Sequence, residues 1–337
     1  MRFQLNRLST MIKNIFQKLI PILMLTYAAT GLSQNTYPNK PIRLLVPYTP
    51  GGSTDIFARM LGNKLTEIYK QPVIIENKPG ASGQIAMDVM LKAPADGYTI
   101  YLGNIGNLAV NVPLFKNLSY DPRKDIAPIS KIAQVTNVLV VNSKIPVKTV
   151  AELIQYAKAR PGKLSYSSGG NGSAAHIAME YFKLQTGIDV IHIPYKGTSP
   201  AVTDVIGGQV DMIMTGSPPL MPFIEAEKVN PIAVSSSKRI DSLPKLPTIA
   251  ESGIPELKGF EATQWYGVVA KAGTPKEIIA ILNKGVQDTF GPAAAREEVK
   301  KSGANVELDS PEEFANFIRS EIDRWSKVVK AAGITPS

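Results

Sequence analysis

Three times in this chain a short apolar run ends in a glycine-rich loop that leads straight into a segment of helical spacing. The three loops are Pro47-Tyr-Thr-Pro-Gly-Gly-Ser-Thr-Asp55, Asn77-Lys-Pro-Gly-Ala-Ser-Gly83 and Ser167-Ser-Gly-Gly-Asn-Gly-Ser173. Strand-like runs alternating with helix-period segments predict an α/β fold with parallel sheets. Glycine lets a backbone turn tightly and approach a ligand, and the helix start that follows offers unpaired N–H groups and partial positive charge. Loops of this kind at the carboxyl ends of strands suit an anion. Ordinary βα turns also use glycine, but three such loops favour the ligand reading.

The remaining pattern gives the organisation. Ile42–Val46, Val73–Glu76 and Tyr98–Leu102 read as strands, the last followed by Gly103-Asn104 and a short helix. The first helix is expected over Thr54–Tyr69, with Phe57, Met60, Leu61, Leu65 and Ile68 on its apolar face, and a second runs through Lys92. A further set begins at Val138–Val141. A capping box at Thr149…Glu152 opens its helix, and strands are expected at Leu164–Ser167, Val190–Ile193, Val210–Met214 and Ile232–Val234. Helices should run to Gly187 and over residues near 199–207, and residues 238–262 read as irregular. Trp265–Ala270 is a late strand that could return to the first set, with Trp265 and Tyr266 packing at an inter-lobe strand. Beyond it the chain is expected to be helical to its end. Capping boxes at Thr274…Glu277 and Ser310…Glu313 should start these helices, and Gly333 suits a helix stop. Two lobes follow, 37–137 with 263–337 and 138–262, crossed twice near Val135–Val140 and Thr263–Val268.

Composition removes several chemistries. The 337 residues include no cysteine and two histidines, His176 and His192. Thiol catalysis and cysteine-ligated metal are excluded, and no metal or cofactor is expected. The formal charge is +9. Part of it lies in Arg2, Arg7, Lys13 and Lys18, and residues beyond 34 carry 33 basic against 28 acidic side chains. That spread surplus reads as solvated surface, not a nucleic-acid site. Residues 1–34 read as a cleavable export signal, with an uncleaved anchor as the alternative. Its basic stretch ends at Lys18, an apolar run of 11 residues spans Leu19–Ala29, and small residues follow from Ala28 to Ser33. No other apolar run approaches 18 residues, so the rest is expected to be soluble and exported.

Catalytic motifs fit poorly. There is no G-x-G-x-x-G, no G-x-x-x-x-G-K-[ST] and no G-x-S-x-G; Gly197-Thr-Ser-Pro-Ala201 comes nearest to the last, and Pro200 spoils it. A hydrolase could still be built from Ser168 or Ser173 with His176, although His176 reads more simply as a packing or capping group. His192 alternates with apolar residues and reads as structural. Asp55 either caps its own helix or meets a ligand ammonium. Tyr195-Lys-Gly197 could supply a hydroxyl and a cation.

From about Tyr37 to Gly333 the chain resembles the Bug/TctC family, the periplasmic substrate-binding proteins of tripartite tricarboxylate transporters. The likeness rests on Pro41-Ile-Arg-Leu-Leu-Val-Pro-Tyr-Thr-Pro-Gly-Gly-Ser-Thr-Asp55 with Ala58-Arg59, and on Glu76-Asn-Lys-Pro-Gly-Ala-Ser-Gly83. It continues through Ala95-Asp-Gly-Tyr-Thr99, Ile193-Pro-Tyr-Lys-Gly197, Gly207-Gly-Gln-Val-Asp211, Leu246-Pro-Thr-Ile-Ala-Glu251, Trp265-Tyr-Gly267 and Ala272-Gly-Thr-Pro275. Gly103-Asn-Ile-Gly-Asn107 departs from the family's small-hydroxyl pattern, and Phe115 replaces a frequent Tyr. The resemblance implies two Rossmann-like lobes of the periplasmic binding protein type around a ligand cleft. It also implies a non-catalytic receptor, probing the periplasm as a monomer, that captures a small carboxylate and delivers it to an integral-membrane permease. One carboxylate is expected between Tyr48, Thr49, Gly51, Gly52, Ser53 and Asp55 of the first loop and Ala81, Ser82 and Gly83 of the second. The far end should meet Ser168, Gly170, Asn171, Gly172 and Ser173, with Tyr195, Thr215 and Gly216 nearby. A receptor for another anion, or one that hands its ligand to a signalling protein, would look the same in sequence.

Overall fold

The computed structural model describes residues 37–331; the expected export signal and the expected stop at Gly333 lie outside them. Strand β1 (Ile42–Val46) leads into helix α1 (Ser53–Tyr69), whose Phe57, Ala58, Leu61 and Leu65 are buried. Met60 and Ile68 lie at the margins of that face and are half-buried. Lys70 ends the helix in the left-handed conformation and returns its N–H to the Thr66 carbonyl. Then come β2 (Val73–Asn77), α2 (Gln84–Lys92), β3 (Thr99–Asn104), a wide turn over Gly106–Val110, α3 (Asn111–Leu114) and β4 (Ile126–Val135).

After Thr136 the chain enters a second sheet through β5 (Asn137–Asn142). Leu139 and Val141 of β5 join one apolar cluster with Tyr166, Phe182 and Met214, whereas Val138 and Val140 join another with Val202 and Ile213. A strand covered on both faces reads as a continuous apolar run, which is why β5 is legible as a strand but shows no alternation. The lobe continues with α4 (Val150–Lys158), β6 (Ser165–Ser168), α5 (Ala174–Thr186), β7 (Ile191–Pro194), α6 (Thr198–Gly207), β8 (Met212–Gly216), α7 (Met221–Glu225) and β9 (Val229–Val234). The chain then returns to the first sheet as β10 (Gln264–Lys271), followed by α8 (Lys276–Phe290), α9 (Ala293–Lys301), β11 (Ala304–Val306) and α10 (Pro311–Ala331).

The sheet orders are β11-β4-β10-β3-β1-β2 and β7-β6-β8-β5-β9. Both are mixed, not parallel as expected. β1 pairs parallel with β2 and β3, and β6 pairs parallel with β7 and β8. β10 runs antiparallel between β3 and β4, and β5 runs antiparallel between β8 and β9. The strands that run against their sheets are β5 and β10, each of which follows a crossing, and β11, which pairs antiparallel with β4. The α/β architecture in two lobes holds, and the glycine loops follow β1, β2 and β6 at their carboxyl ends.

Several local expectations are corrected. Strand β4 has no counterpart in the sequence reading, and β11 interrupts the stretch expected to be helical. Gly103 and Asn104 finish β3 instead of forming a loop. The Ser310…Glu313 box forms in full, with Ser310 N–H donating to Glu313 at 2.8 Å and Glu313 N–H to Ser310 at 3.2 Å. Thr274 instead donates its hydroxyl to the Lys271 carbonyl, and Pro275 stands at the start of α8 without a side-chain cap. Thr149 caps α4, but Glu152 takes the N–H of Lys148, not of Thr149. Trp265 and Tyr266 stand on β10, the strand after the second crossing, where Trp265 shares an apolar cluster with Ala174 and Ile177 of α5. The Trp265 indole donates to Glu321 at 2.9 Å, and Tyr266 lies against Phe57.

The two crossings are fastened to each other. Gln264 Nε2 donates to Asn137 Oδ1 at 2.6 Å, and Asn137 donates in turn to the Ala262 carbonyl. Ser235 Oγ accepts the Asn137 N–H at 3.1 Å and donates to the same Ala262 carbonyl at 2.9 Å. These side chains are all buried, so each amide depends on its partners for hydrogen bonds.

Candidate functional site

The first loop is anchored by a buried carboxylate. Asp55 sits in the first turn of α1, where Gly52 is the N-cap, so it is not the cap. Its oxygens accept from Gly51 N–H (3.0 Å), Asn77 Nδ2 (2.9 Å) and the Arg59 guanidinium (2.8 and 3.2 Å). Burial pushes the carboxyl pKa up, but Arg59 and the two N–H donors more than offset this and hold it below the usual range. Asp55 therefore spends its charge inside its own lobe, on the loop's shape. Tyr48 points inward. Its hydroxyl meets Asn104 Oδ1 at 3.3 Å and accepts from Asn107 Nδ2 at 3.2 Å, and burial pushes its pKa up to about 12. Asn104 and Asn107 are linked to each other as well, Asn104 N–H donating to Asn107 Oδ1 at 3.0 Å.

The second loop is conformationally strained. Gly80, Ala81, Ser82 and Gly83 all have positive φ, at 127°, 43°, 53° and 89°. Such residues cost of order 1–3 kcal/mol each where they are not glycine. Asn111 Nδ2 steadies the turn by donating to the Ser82 carbonyl at 2.9 Å. Among the described residues, nothing accepts from the backbone N–H groups of Ala81 and Ser82, nor from those of Ser53 and Thr54 at the start of α1.

The third loop is held from beneath. Ser173 caps α5 by accepting the His176 N–H at 3.3 Å. His176 Nδ1 accepts from Gly172 N–H at 3.1 Å, and Ser168 Oγ lies 2.7 Å from His192 Nε2. The pairing of Ser168 or Ser173 with His176 as a catalytic couple is therefore overturned. His176 uses its acceptor on the backbone, Ser173 is a cap, and Ser168 is fully buried and engaged with Gly170 and His192. His192 is more than the packing residue its alternation suggests.

The loops meet across a seam. Ser82 Oγ donates to the Asn171 carbonyl. Gly197 lies so close to Thr49 that a Cβ there would fall 2.1 Å from the threonine hydroxyl, and Gly106 faces the Gly172 carbonyl. Two neighbouring cavities lie along this seam. The outer one, about 230 Å³, is bounded by Tyr48, Gly80–Gly83, Gly169–Asn171 and Pro194–Lys196. Lys196 is its only charged residue, and no ion pair engages it among the described residues. The inner one, about 20 Å³, shares Tyr48 and Gly169 with it.

The inner cavity has no charged wall. The first turns of three helices open onto it: Gly52, Ser53 and Thr54 of α1, Ser173–Ala175 of α5, and Thr198 of α6. Asn104, Thr215, Gln264 and Tyr266 complete it. Helix starts carry unpaired N–H groups and partial positive charge, so the arrangement favours an anion without requiring an arginine or a metal. Among the described residues no group of three or more acidic or histidine side chains is placed to hold a metal ion. Of the residues expected at the site, Gly216 packs one step behind, close to Ser53 and Gln264, and Tyr195 turns its hydroxyl onto Asp204 while its backbone borders the outer cavity. Thr49 Oγ1 is buried without a hydrogen-bond partner.

The start of α6, with Thr198, is the contribution that the sequence reading missed. Nothing local distinguishes Gly197-Thr198 from an ordinary turn, and only the lobe-to-lobe packing brings it opposite Gly52. A larger cavity, about 320 Å³, lies elsewhere, bordered by Gln134, Thr136, Glu261, Thr263, Lys300 and the 236–241 loop. Gln264 faces the inner cavity and its neighbour Thr263 faces this one, so the two lie on opposite sides of the crossing strands. No helix start points into it, and Lys300 there is already paired with Asp241.

Comparison with known proteins gives a consistent picture. The family model described as the tripartite tricarboxylate transporter family receptor matches residues 57–334. Protein BugT of Bordetella pertussis is 37% identical over 321 residues, covering 94% of this chain and 98% of that protein. The structure of R. palustris Rpa4515 with adipate superposes with a TM-score of 0.86 at 40% identity, covering 89% of this chain and all of the other. That of MatC (Rpa3494) from Rhodopseudomonas palustris with bound malate gives a TM-score of 0.82 at 29% identity, with 87% and 100% covered.

Proposed function

The chain belongs to the tripartite tricarboxylate transporter receptor family, and on that premise we propose that it captures a small carboxylate in the periplasm and delivers it to a membrane permease. It is a solute-binding receptor, not an enzyme. The observation that carries the carboxylate reading is the convergence of the first turns of α1, α5 and α6 on one uncharged cavity. One carboxylate would be held in the inner cavity by backbone N–H groups at the starts of α1, α5 and α6. The far end of the ligand would reach the outer cavity, toward Ala81, Ser82, Gly170, Asn171 and Lys196. Charge-assisted hydrogen bonds of this kind contribute about 1.5–3 kcal/mol each. The ligands named for two of the similar structures, adipate and malate, are both di-acids, and a cation at the outer mouth complements a second carboxylate.

Access requires movement. A cavity of about 20 Å³ admits no organic acid, so the seam contacts must part for a ligand to reach the helix starts. We assign the motion to a hinge at the two crossings, with lobes of 37–137 plus 263–337 and 138–262. Among the described residues no helix is long and apolar enough to cross a membrane, so transport requires a separate integral-membrane protein. The family's role supports that partner and the periplasmic location.

Titration with a panel of mono-, di- and tricarboxylates, amino acids and inorganic anions tests the reading. A micromolar heat signal, a raised melting temperature and recovery of the acid unchanged are expected for at least one organic acid. Response to phosphate or sulfate alone would overturn the carboxylate assignment, and chemical conversion of the acid would overturn the receptor.

A further inference from the structure

Beneath the third loop lies a cluster that the carboxylate-binding reading does not use. The rings of Tyr166, His192 and His176 stack in series, with centroids 4.7 Å apart for the first pair and 4.4 Å for the second. They come from three elements, β6, β7 and α5, so the stack ties together the parts that carry the loop. Each imidazole also holds one end of the loop through a ring nitrogen. His192 Nε2 meets Ser168 Oγ at 2.7 Å, and His176 Nδ1 accepts the Gly172 N–H at 3.1 Å. Ser168 Oγ in turn accepts from Gly170 N–H at 3.1 Å and lies 3.2 Å from the Gly170 carbonyl.

The proton inventory fixes the charge state this arrangement needs. A backbone N–H can only donate, so His176 Nδ1 carries no proton and the ring is neutral, with its hydrogen on Nε2. The single hydroxyl proton of Ser168 serves one acceptor. The contacts close when His192 Nε2–H donates to Oγ and Oγ–H donates to the Gly170 carbonyl. Gly172 has φ +75°, and its carbonyl faces Gly106 of the other lobe. The N–H that His176 holds belongs to the Asn171–Gly172 peptide, whose carbonyl accepts from Ser82 Oγ of the other lobe, so the orientation of this peptide helps to shape the wall that the second lobe presents at the seam.

We infer that His176 is a positioning residue for the ligand loop, and that protonation of its Nδ1 releases the Gly172 peptide and weakens ligand capture. This rests on the assignment of the Ser168–Ser173 loop to the carboxylate site. The groups facing the pair are His192 on β7, Tyr166 on β6, and Glu180 and Lys183 on α5. Glu180 Oε1 accepts from both the Tyr166 hydroxyl (2.6 Å) and Lys183 Nζ (2.7 Å), so its charge is compensated locally. Burial lowers the His176 pKa below its ordinary value, Glu180 partly opposes this, and Lys183 adds to it. His192 is pushed down to about 4, chiefly by burial and next by His176. The sign follows from the lowered value. The loop-holding contact is complete above the ordinary histidine range and is lost as pH falls below it.

The test follows the Gly172 amide by nuclear magnetic resonance and hydrogen exchange between pH 5 and 8, with adipate as the binding probe. In the native protein the Gly172 resonance should shift with a single step on acidification, and its exchange protection should drop by about tenfold or more. Adipate affinity should fall about tenfold across the same step. In His176→Asn, whose Oδ1 can accept the same N–H, the resonance and the affinity should stay within about threefold of native at pH 8 and lose the step. In His176→Ala the protection should be missing at every pH. Persistence of the native step in His176→Asn, or a Gly172 amide indifferent to acidification, would overturn the inference. If His176→Ala does not fold, the native titration and His176→Asn decide the matter. If adipate does not bind at all, that acid is excluded as a ligand, while the Gly172 readout still decides the role of His176.

Discussion

Glycine does different work at Gly52 and Gly172. Gly172 has φ +75°, and a Cβ there would fall 2.8 Å from Leu114 and 2.9 Å from Asn111 Oδ1. Gly52 has φ −82° and ψ 168°, an extended backbone open to any residue, and a Cβ there would meet nothing nearer than Thr198 at 3.5 Å. Gly172→Val should therefore abolish ligand binding in calorimetry, whereas Gly52→Ala should bind within a few-fold of native. Equal tolerance at both positions would refute the assignment of the third loop. Asp55→Asn should weaken every acid alike, amino-bearing or not, because the carboxylate is committed to Gly51, Asn77 and Arg59. Its lowered pKa adds stability that is present above the ordinary aspartate range and lost on acidification through the folded-state value. The drop in melting temperature between pH 6 and pH 3 should accordingly be smaller in Asp55→Asn. Lys196→Gln should cost a di-acid about tenfold, near 1.4 kcal/mol, and leave the matching mono-acid unchanged; loss of both equally would remove Lys196 from the specificity argument.

Elements differ in how plainly they announce themselves. β1 with α1 is readable because a short run that is apolar but for Arg43 meets a helix whose buried residues recur at helical spacing. β4 is not, because Pro128, Ser130 and Lys131 interrupt it. Lys131 is nonetheless buried, its ammonium 3.0 Å from Glu307 and 4.1 Å from the Phe317 ring centre, a solution that no local pattern reveals. β11 has three residues, too few to show a period. The glycine loops after β1, β2 and β6 were visible for a local reason, namely glycine at a strand-to-helix turn, whereas Thr198 and Asn104 join the site only through tertiary packing. The crossings carry their own prediction. Asn137→Ala leaves the Gln264 amide buried without its acceptor, which should cost about 1–3 kcal/mol in denaturant unfolding. Asn137→Asp keeps an acceptor but brings a charge into the same pocket, and should be at least as harmful at neutral pH. Unchanged stability in both would mean that the crossings are held by the sheets alone.

At the scale of the molecule, two sheets are joined by two short crossings, and the hinge proposed there has to work against one apolar cluster in which Ala174 and Ile177 of α5 join Trp265 and Phe314. Small-angle scattering should show a smaller radius of gyration with a saturating acid than without it, and the difference should vanish in Gly172→Val. An identical radius in both conditions for a protein shown to bind the acid would argue against hinge closure.

The meeting of three helix starts at one small cavity also bears on how such a chain can change over generations. N–H groups of the main chain are encoded by the fold, so almost any codon in α1, α5 or α6 preserves them. What mutation can readily alter is the surrounding wall, at Asn104, Lys196, Thr215 and Gln264. On the proposed reading, a lineage built on this plan can acquire new acids one wall residue at a time while its grip on the first carboxylate passes down untouched.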